Sequence, residues 1–351
     1  MTKNKNLTFI KYFTYSFLTT FIIYLSILVY INPKQTFNIL PSNKFSKYTD
    51  NFIYLKIKSI ETNHDFQTVI IGSSTSESFN PADVNFILNT NSFSASTGGG
   101  NTPTRYALFN SAVKNMKNLK RIIYIADFFE FNRPTPKDEV ILSEKVNTYL
   151  DVPELKPNLL IKMKHIFSHQ LFESIFKVIK KLKKDKRTLI NSNGTSDRSM
   201  ILSPIDNANA FSSQIPASQK FALLKQIKEN YTTYSQRVLN NFTELSPLVI
   251  KLFEKMNSLA KENNIQIIYI LAPYHNDFRN MLFQDPKISK RYNEWQSLFR
   301  RFAKNSNILL YNPLTSKIAI DPMSGVWRDG IHFNRQSSSY MLKEISKEIK
   351  K

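Results

Sequence analysis

The stretch Thr68-Val-Ile-Ile-Gly-Ser-Ser-Thr75 joins four β-branched residues to a turn of glycine and hydroxyl side chains. An uninterrupted run of this kind lacks the alternation of a half-exposed strand and is typical of parallel strands that are buried on both faces. Three further runs of the same type follow along the chain: Arg121–Ala126, Gln266–Leu271 and Asn307–Tyr311. The sequence therefore predicts a mostly parallel sheet whose first strand is Thr68–Gly72.

The segments between these strands have the periodicity of helices. Ser246 and Pro247 are the preferred residue types for the N-cap and first turn of one helix, and further helices are predicted at about Pro286–Phe302 and Ser337–Lys350. Alternation of strands and helices predicts the α/β class with a doubly wound, mostly parallel sheet. Residues 134–241 interrupt this alternation with helical segments and with loops rich in serine, asparagine and proline, so we predict an inserted helical cap there.

An uncharged segment near the N-terminus has the composition of a membrane-spanning helix. Residues 12–31 contain no charged side chain, and about 20 such residues cross a hydrocarbon core of about 30 Å. The run has no polar face, which argues against a helix in a soluble core. It also ends without the small-residue cleavage site of a signal peptide. We therefore predict one uncleaved transmembrane helix at 12–31.

The charges around this segment predict the orientation of the chain. Residues 1–11 contain three lysines and no acidic residue, and the positive-inside rule places such a tail in the cytoplasm. Residues 32–67 are then a linker and lead-in segment, and residues 68–351 form the α/β domain outside the inner or plasma membrane. The predicted topology is that of a single-pass signal anchor.

The overall composition excludes several classes of site. The 351-residue chain has 48 Lys and Arg against 27 Asp and Glu, a net charge of +21, and no cysteine. The absence of cysteine excludes disulfides, a cysteine nucleophile and thiolate-bound metals. His165 and His169 have an i, i+4 spacing that could bind a metal, but the sequence offers no evident third ligand. We predict no metal and no cofactor.

A cluster of basic residues lies within the predicted cap. The segment Lys177–Arg187 holds seven basic residues and one acidic residue. This cluster is either a solvated face or a contact surface for anionic lipid headgroups or an anionic polymer, which a domain close to a bilayer could use. Nucleic acid is not expected as a partner, because no nucleic-acid-binding motif accompanies the charge.

Two short motifs contain residue types that carry nucleophilic chemistry. Ser74 follows the first strand, and ligands of open α/β sheets bind at the carboxyl ends of the strands. Asp329 and His332 lie three residues apart before the last helix. A serine nucleophile needs a base, and the base works best when a carboxylate orients it. We expect Ser74 Oγ within about 3–4 Å of one His332 nitrogen, with Asp329 near the other.

The two motifs together resemble the SGNH/GDSL hydrolase superfamily. Gly72–Ser74 is similar to the G-D-S-like turn after its first strand, with serine in place of the usual aspartate, and Asp329–His332 is similar to its D-x-x-H motif. The resemblance implies that Ser74 is the nucleophile, His332 the general base and Asp329 its orienting partner. It also implies an SGNH-like fold for the domain.

The resemblance extends to the loop that would hold an oxyanion. Ser94–Asn101 is similar to the glycine-containing loop of the family. This likeness implies that the N–H of Gly98 or Gly99 lies beside that of Ser74 in the oxyanion hole. The family's third motif, G-x-N-D after the next strand, is not matched, and Asn132 is the candidate substitute from further along the chain.

Three more residues are candidates for substrate binding. His275 comes shortly after the strand Gln266–Leu271, so it lies at a strand's carboxyl end. Arg328 adjoins Asp329 and could hold an anionic group, and Trp327 could stack on a sugar ring. The alternatives are ordinary loop packing for His275 and a buried position for Trp327.

A membrane helix followed by an external domain of this type is similar to the accessory proteins of alginate O-acetylation and of D-alanine addition to teichoic acids. In the alginate proteins the histidine and aspartate precede the serine, so that likeness is one of architecture. It implies extracytoplasmic serine-dependent acyl transfer, by an O-acetyltransferase or esterase, on a cell-surface polysaccharide, beside a membrane-bound O-acyltransferase. The alternative is a non-catalytic scaffold of the same fold that binds an anionic surface polymer or that acyltransferase.

Overall fold

The computed structural model describes residues 2–36, 45–99, 101–132, 143–185, 190–195, 217–240, 242–313, 327 and 329–349. The chain divides into two compact units. The smaller contains residues 1–54, 138–148 and 156–189, and the larger contains residues 55–137, 149–155 and 190–351.

A five-stranded parallel sheet forms the centre of the larger unit. Its strands are β1 (Thr68–Ile71), β2 (Ser92–Ser94), β3 (Arg121–Ala126), β4 (Gln266–Leu271) and β5 (Ile308–Tyr311). They are arranged in the order β2-β1-β3-β4-β5, and every neighbouring pair is parallel. The predicted α/β class and parallel sheet are confirmed. Every residue of β1 is buried, and so is every residue of β3 and β4 after the first, which explains their uninterrupted apolar runs.

The described helices precede, connect and follow these strands. They are α1 (Thr2–Ile31), α2 (Phe52–Thr62), α3 (Pro81–Leu88), α4 (Thr102–Asn115), α5 (Glu144–Asn147), α6 (Leu159–Ile166), α7 (His169–Lys183), α8 (Ala217–Tyr234), α9 (Pro247–Glu262), α10 (Asn276–Phe283), α11 (Pro286–Phe302) and α12 (Arg335–Ile349). Short 3-10 helices occur at Ser46–Tyr48, Ser74–Ser78, Phe128–Asn132 and Pro153–Leu155, and a π-helical turn at Ser235–Leu239. The Ser246 side chain accepts a hydrogen bond from the N–H of Val249, as its predicted N-cap position requires.

The structure differs from the sequence-based expectations in four places. The lead-in segment 32–67 contains α2, and β2 is a strand that the apolar pattern did not predict, because three residues are too few to show a period. The turn after Gly72 leads into a five-residue 3-10 helix, and an α-helix begins only at Pro81, where Asn80 provides the cap. The predicted cap at 134–241 is divided between the two units, since residues 138–148 and 156–189 group with residues 1–54.

The smaller unit is built around the C-terminal part of α1. Its apolar core contains Leu28, Ile31, Phe45, Tyr48, Leu171, Ile175 and Val178. Within α1, Leu7–Ile31 is long and apolar enough to cross a membrane by length and composition, and it includes the predicted segment 12–31. Of the basic cluster Lys177–Arg187, residues 186 and 187 lie outside the described part of the chain.

Candidate active site

Ser74 lies at the carboxyl end of β1, where the backbone turns tightly. A Cβ atom on Gly72 would approach the Ser76 Cβ to 2.6 Å and the Ile125 Cβ to 3.1 Å, so a larger residue does not fit without displacement. Ser73 then caps the 3-10 helix by accepting a hydrogen bond from the N–H of Thr75. Ser74 is the first residue of that helix.

The structure brings the three residues of the two motifs together. Ser74 Oγ lies 2.7 Å from His332 Nε2, and His332 Nδ1 lies 2.8 Å from Asp329 Oδ2. These distances are those expected from the sequence. An imidazole that donates its Nδ1 proton to the carboxylate has an acceptor at Nε2, so the hydroxyl of Ser74 donates to it. Ser74 and His332 are 258 positions apart in the sequence, but together with Asp329 they form one continuous chain of hydrogen bonds.

The Asp329 carboxylate is held in its charged form. Burial alone would raise its pKa, but the hydrogen bond and charge of His332 oppose this, and so do the N–H groups of Ile331 and His332. The net result is a pKa of Asp329 below its ordinary value. The side chain of His332 remains 21% exposed, which leaves its ring accessible beside Ser74.

The loop that carries Asp329 and His332 is fixed by close packing. A Cβ on Gly330 would lie 2.5 Å from the Phe278 ring, so glycine is required by the close approach of α10. The carbonyl of Gly330 accepts a hydrogen bond of 3.0 Å from the N–H of His275. This loop is therefore attached to the residues that follow β4.

Asp127 is a site residue that the motif comparison missed. It follows β3 directly, at the same end of the sheet as Ser74, and its Oδ2 accepts a hydrogen bond of 3.2 Å from Ser73 Oγ. Its Oδ1 accepts from Tyr274 Oη at 2.6 Å and from the N–H of Phe129 at 3.2 Å. Burial and the Asp127 charge raise the pKa of Tyr274, which keeps its hydroxyl a donor. The sequence signal that could have identified Asp127 is its position directly after a buried strand.

A buried ion pair helps to hold the backbone of Asp127 in place. Arg105 donates to Glu130 Oε2, and both side chains are 1% exposed. The same oxygen accepts from Tyr124 Oη at 2.9 Å and from Thr102 Oγ1 at 2.8 Å, while Oε1 accepts from the N–H of Asp127 at 2.9 Å. The pair thus links the start of α4 to the turn that holds Asp127.

The loop after β2 lies alongside the Ser74 turn. The N–H of Thr97 donates to the carbonyl of Gly72 at 3.0 Å, and Gly99 has a φ of +62°, which favours glycine. Among the described residues, the N–H of Ser74 has no hydrogen-bond acceptor, as expected for an oxyanion donor. The hydroxyls of Ser96 and Thr97 are also buried without a partner in the described part of the chain.

The other predicted site residues have different surroundings. The Asn132 amide donates to the carbonyl of Val238 in the π-helical turn. His275 is 2% exposed and caps α10 through Nδ1, which accepts from the N–H of Asp277 at 3.2 Å. Trp327 is buried edge-on against His275 and Phe333, with ring centroids 5.7 and 6.1 Å away. His275 and Trp327 therefore make the packing contacts that were the alternatives to substrate binding. Arg328 lies outside the described residues.

The two histidines with helical spacing lie in the smaller unit. His169 Nδ1 is 3.6 Å from Glu173 Oε1 on the surface of α7. No group of three or more metal-ligating side chains is found within the described residues.

No family model and no curated protein matches the chain. The resemblance to the SGNH/GDSL superfamily therefore remains an expectation drawn from the motif residues.

Lys56 anchors the start of the loop after β2. Its ammonium group is buried and donates to the carbonyls of Ser94 and Gly194, both at 2.8 Å. Burial lowers the pKa of Lys56 to about 7, although the charge of Glu77 acts in the opposite direction. A neutral amine still has two hydrogens for the two carbonyls, so this anchor survives deprotonation.

The depressed pKa of Lys56 predicts a pH dependence of stability. Between pH 7 and about pH 10 the unfolded chain binds a proton at this lysine that the folded chain lacks, so the free energy of unfolding rises with pH. In urea titrations from pH 7 to 9, we expect the wild type to gain about 1.4 kcal/mol per pH unit relative to Lys56→Met. Parallel pH profiles for the two proteins would contradict this assignment.

Proposed function

We propose that this protein is a serine-dependent acyl-transfer enzyme of the SGNH/GDSL type, acting as an esterase or O-acetyltransferase on a cell-surface polysaccharide. The hydrogen-bonded chain Ser74–His332–Asp329 carries the proposal. A serine hydroxyl 2.7 Å from an imidazole whose other nitrogen is held by a carboxylate is the arrangement that activates a serine nucleophile. The strand order 2-1-3-4-5 is also one of the common doubly wound orders.

The reaction follows from the positions of these groups. Ser74 Oγ attacks the carbonyl carbon of an ester while His332 Nε2 takes its proton, and Asp329 stabilises the imidazolium. The N–H of Ser74, with that of Gly98 or Gly99, holds the oxyanion. The leaving alcohol takes the proton from His332 and an acyl-serine remains. A water molecule or a glycan hydroxyl, deprotonated by His332, then attacks the acyl carbon and releases Ser74.

We place this reaction outside the cytoplasm, at the membrane surface. Support comes from α1, which is long and apolar enough to span a bilayer, and from the lysines that precede it. A domain anchored in this way works on polymers that pass close to the membrane. A membrane-bound O-acyltransferase that supplies the acyl group is the expected partner.

A non-catalytic scaffold is the second candidate function. The net charge of +21 suits the binding of an anionic surface polymer or of that acyltransferase. The Asn132 amide, which is the candidate substitute for the missing third motif, donates a hydrogen bond to the carbonyl of Val238. A scaffold would not require Ser74, His332 and Asp329 to be aligned, which is why we favour the enzyme.

A fluorophosphonate probe distinguishes the two functions. We expect the purified wild-type protein to be labelled covalently at Ser74, and labelling to be lost in Ser74→Ala and strongly slowed in His332→Ala, because the hydroxyl is then not activated. The matched control is Ser346→Ala, which removes an exposed serine hydroxyl on α12 and should leave labelling unchanged. Equal, weak labelling of all four proteins would favour the scaffold.

A further inference from the structure

The three residues of the proposed site come from two separate segments of the chain. Asp329 and His332 belong to one loop that is held internally. Asp329 Oδ1 accepts from the N–H groups of Ile331 and His332 at 2.9 and 2.7 Å, while Oδ2 lies 2.8 Å from His332 Nδ1. Ser74 belongs to the turn after β1. The distance between Ser74 Oγ and His332 Nε2 therefore depends on how the turn and the loop are held relative to each other.

On one side, contacts between the residues that follow the nucleophile and those that follow the base hold the two segments together. The Phe79 ring lies edge-on to that of Phe333, with centroids 6.0 Å apart. Ser338 Oγ donates to the carbonyl of Ser78 at 2.6 Å. Both contacts are downstream of the two reacting side chains.

On the other side, Asp127 and Tyr274 connect the residue before the nucleophile to the loop of the base. Ser73 Oγ donates to Asp127 Oδ2 at 3.2 Å, and Tyr274 Oη donates to Asp127 Oδ1 at 2.6 Å. The next residue is His275, whose N–H donates to the carbonyl of Gly330 at 3.0 Å. Hydrogen bonds thus connect the turn after β1 to the loop of the base through the residues that follow β3 and β4.

This connection is shielded from water. Ser73, Asp127, Tyr274 and His275 are only 2–7% exposed. Tyr274 Oη also accepts from the N–H of Phe128 at 3.0 Å, which directs its own proton toward the carboxylate. A buried polar network whose members are hydrogen-bonded holds one geometry more strictly than exposed groups do.

The distance that these contacts control is the one on which the proposed reaction depends. Ser74 Oγ lies 2.7 Å from His332 Nε2, and a hydrogen bond of this kind weakens beyond about 3.2 Å. A displacement of about 1 Å at a reacting group can lower a rate about 10²-fold. Contacts on one side alone would still allow the turn and the loop to rotate about that side, so the second connection matters.

We propose that Asp127 and Tyr274 are positioning residues, which set the distance between Ser74 and His332 by holding Ser73 on one side and the loop of the base on the other. They act through these neighbours and not on the ester itself. The proposal rests on the acyl-transfer function proposed above, because it assigns a role in that reaction. The carboxylate of Asp127 serves as a hydrogen-bond acceptor, so its charge is not required.

Four variants of the full-length protein test this role. Tyr274→Phe removes the hydroxyl but keeps the ring, and Asp127→Ala removes the acceptor. In Asp127→Asn the amide oxygen can accept from Tyr274 Oη and the amide N–H can donate to Ser73 Oγ, so the connection is kept without the charge. Tyr269→Phe is the matched control, since it removes another buried tyrosine hydroxyl, on β4, which donates to Asn257 Oδ1 at 2.7 Å.

The first measurement is the pH profile of kcat/KM for p-nitrophenyl acetate. We expect Tyr274→Phe and Asp127→Ala to lower the plateau about 10- to 100-fold, because the nucleophile is displaced from its base. The acidic limb, which reports protonation of the base, should stay in place, since the contact between His332 and Asp329 lies within one loop. Asp127→Asn and Tyr269→Phe should keep a plateau close to that of the wild type.

The second measurement does not depend on turnover. Nitrogen-15 NMR of labelled histidine distinguishes an Nε2 that accepts a hydrogen bond from one that does not, and His332→Ala identifies the signal among the five histidines. We expect the Nε2 signal of His332 in Tyr274→Phe to move toward its position in Ser74→Ala. In Tyr269→Phe it should stay at the wild-type position.

The outcomes separate this role from the proposed function. If the wild type is active but Tyr274→Phe keeps both its plateau and its Nε2 signal, the positioning role is wrong and the proposed function stands. Equal losses in Asp127→Asn and Asp127→Ala would show that the charge acts in the reaction, which also overturns the positioning role. If the wild type has neither turnover nor fluorophosphonate labelling while the Nε2 signal still moves in Tyr274→Phe, the proposed function fails and the positioning geometry holds. With neither activity nor movement of the signal, both fail.

Discussion

Replacing Ser74 or His332 by alanine is expected to lower ester turnover by about 10⁴- to 10⁶-fold, the largest effect that we predict for this protein. The two residues act as one unit, so the double variant should be scarcely slower than either single variant. Asp329→Asn should lower turnover by less than the loss of the nucleophile or the base does, because it disturbs only the orientation and charge stabilisation of His332. Turnover is measured by hydrolysis of p-nitrophenyl acetate and by the ester content of the surface polymer in cells.

The control for these variants is folding. Ser74 and His332 contribute little to the apolar core, so all the variants should unfold at the same urea concentration as the wild type. His64→Ala removes an exposed histidine whose Nδ1 lies 2.7 Å from the Asn115 carbonyl, and it should retain full turnover. If cells with Ser74→Ala keep the full ester content of their surface polymer, the enzyme hypothesis is wrong and the scaffold replaces it.

Breaking the buried Arg105–Glu130 pair is expected to lower the free energy of unfolding by about 3–5 kcal/mol. Either Arg105→Met or Glu130→Gln leaves one group at a site where both side chains are 1% exposed, without the opposite charge that compensates its desolvation. The double variant should lower the free energy of unfolding by less than the sum of the two single variants, because it leaves no unpaired charge. Urea unfolding followed by tryptophan fluorescence measures these differences.

An exposed ion pair provides the matched control for this experiment. Lys347 binds Glu344 on α12 at 2.6 Å, with the lysine side chain 66% exposed. Lys347→Met should leave the unfolding midpoint unchanged, because solvent screens the pair. Additive losses in the Arg105 and Glu130 single and double variants would show that the two charges do not interact energetically.

The sequence alone was sufficient for features that depend on local pattern. Continuous apolar runs predicted β1, β3, β4 and β5, since a strand buried on both faces has no polar side to alternate with. A chain of 20 uncharged residues predicted an apolar helix of membrane-spanning length. The residue types of Ser74, Asp329 and His332, and their places after a strand and before a helix, predicted their proximity, because parallel strands end at one edge of a sheet.

Only the tertiary structure decided the features that depend on distant contacts. Asp127 contacts Ser73 across 54 residues, and Lys56 contacts Gly194 across 138, so neither pair leaves a periodic signal in the chain. Which side of α7 faces α1 likewise depends on contacts between elements, such as the packing of Val178 in one apolar core with Ile31. The physical reason is the same in each case: local pattern selects the type of element, whereas burial and hydrogen bonding between elements select which side chains meet.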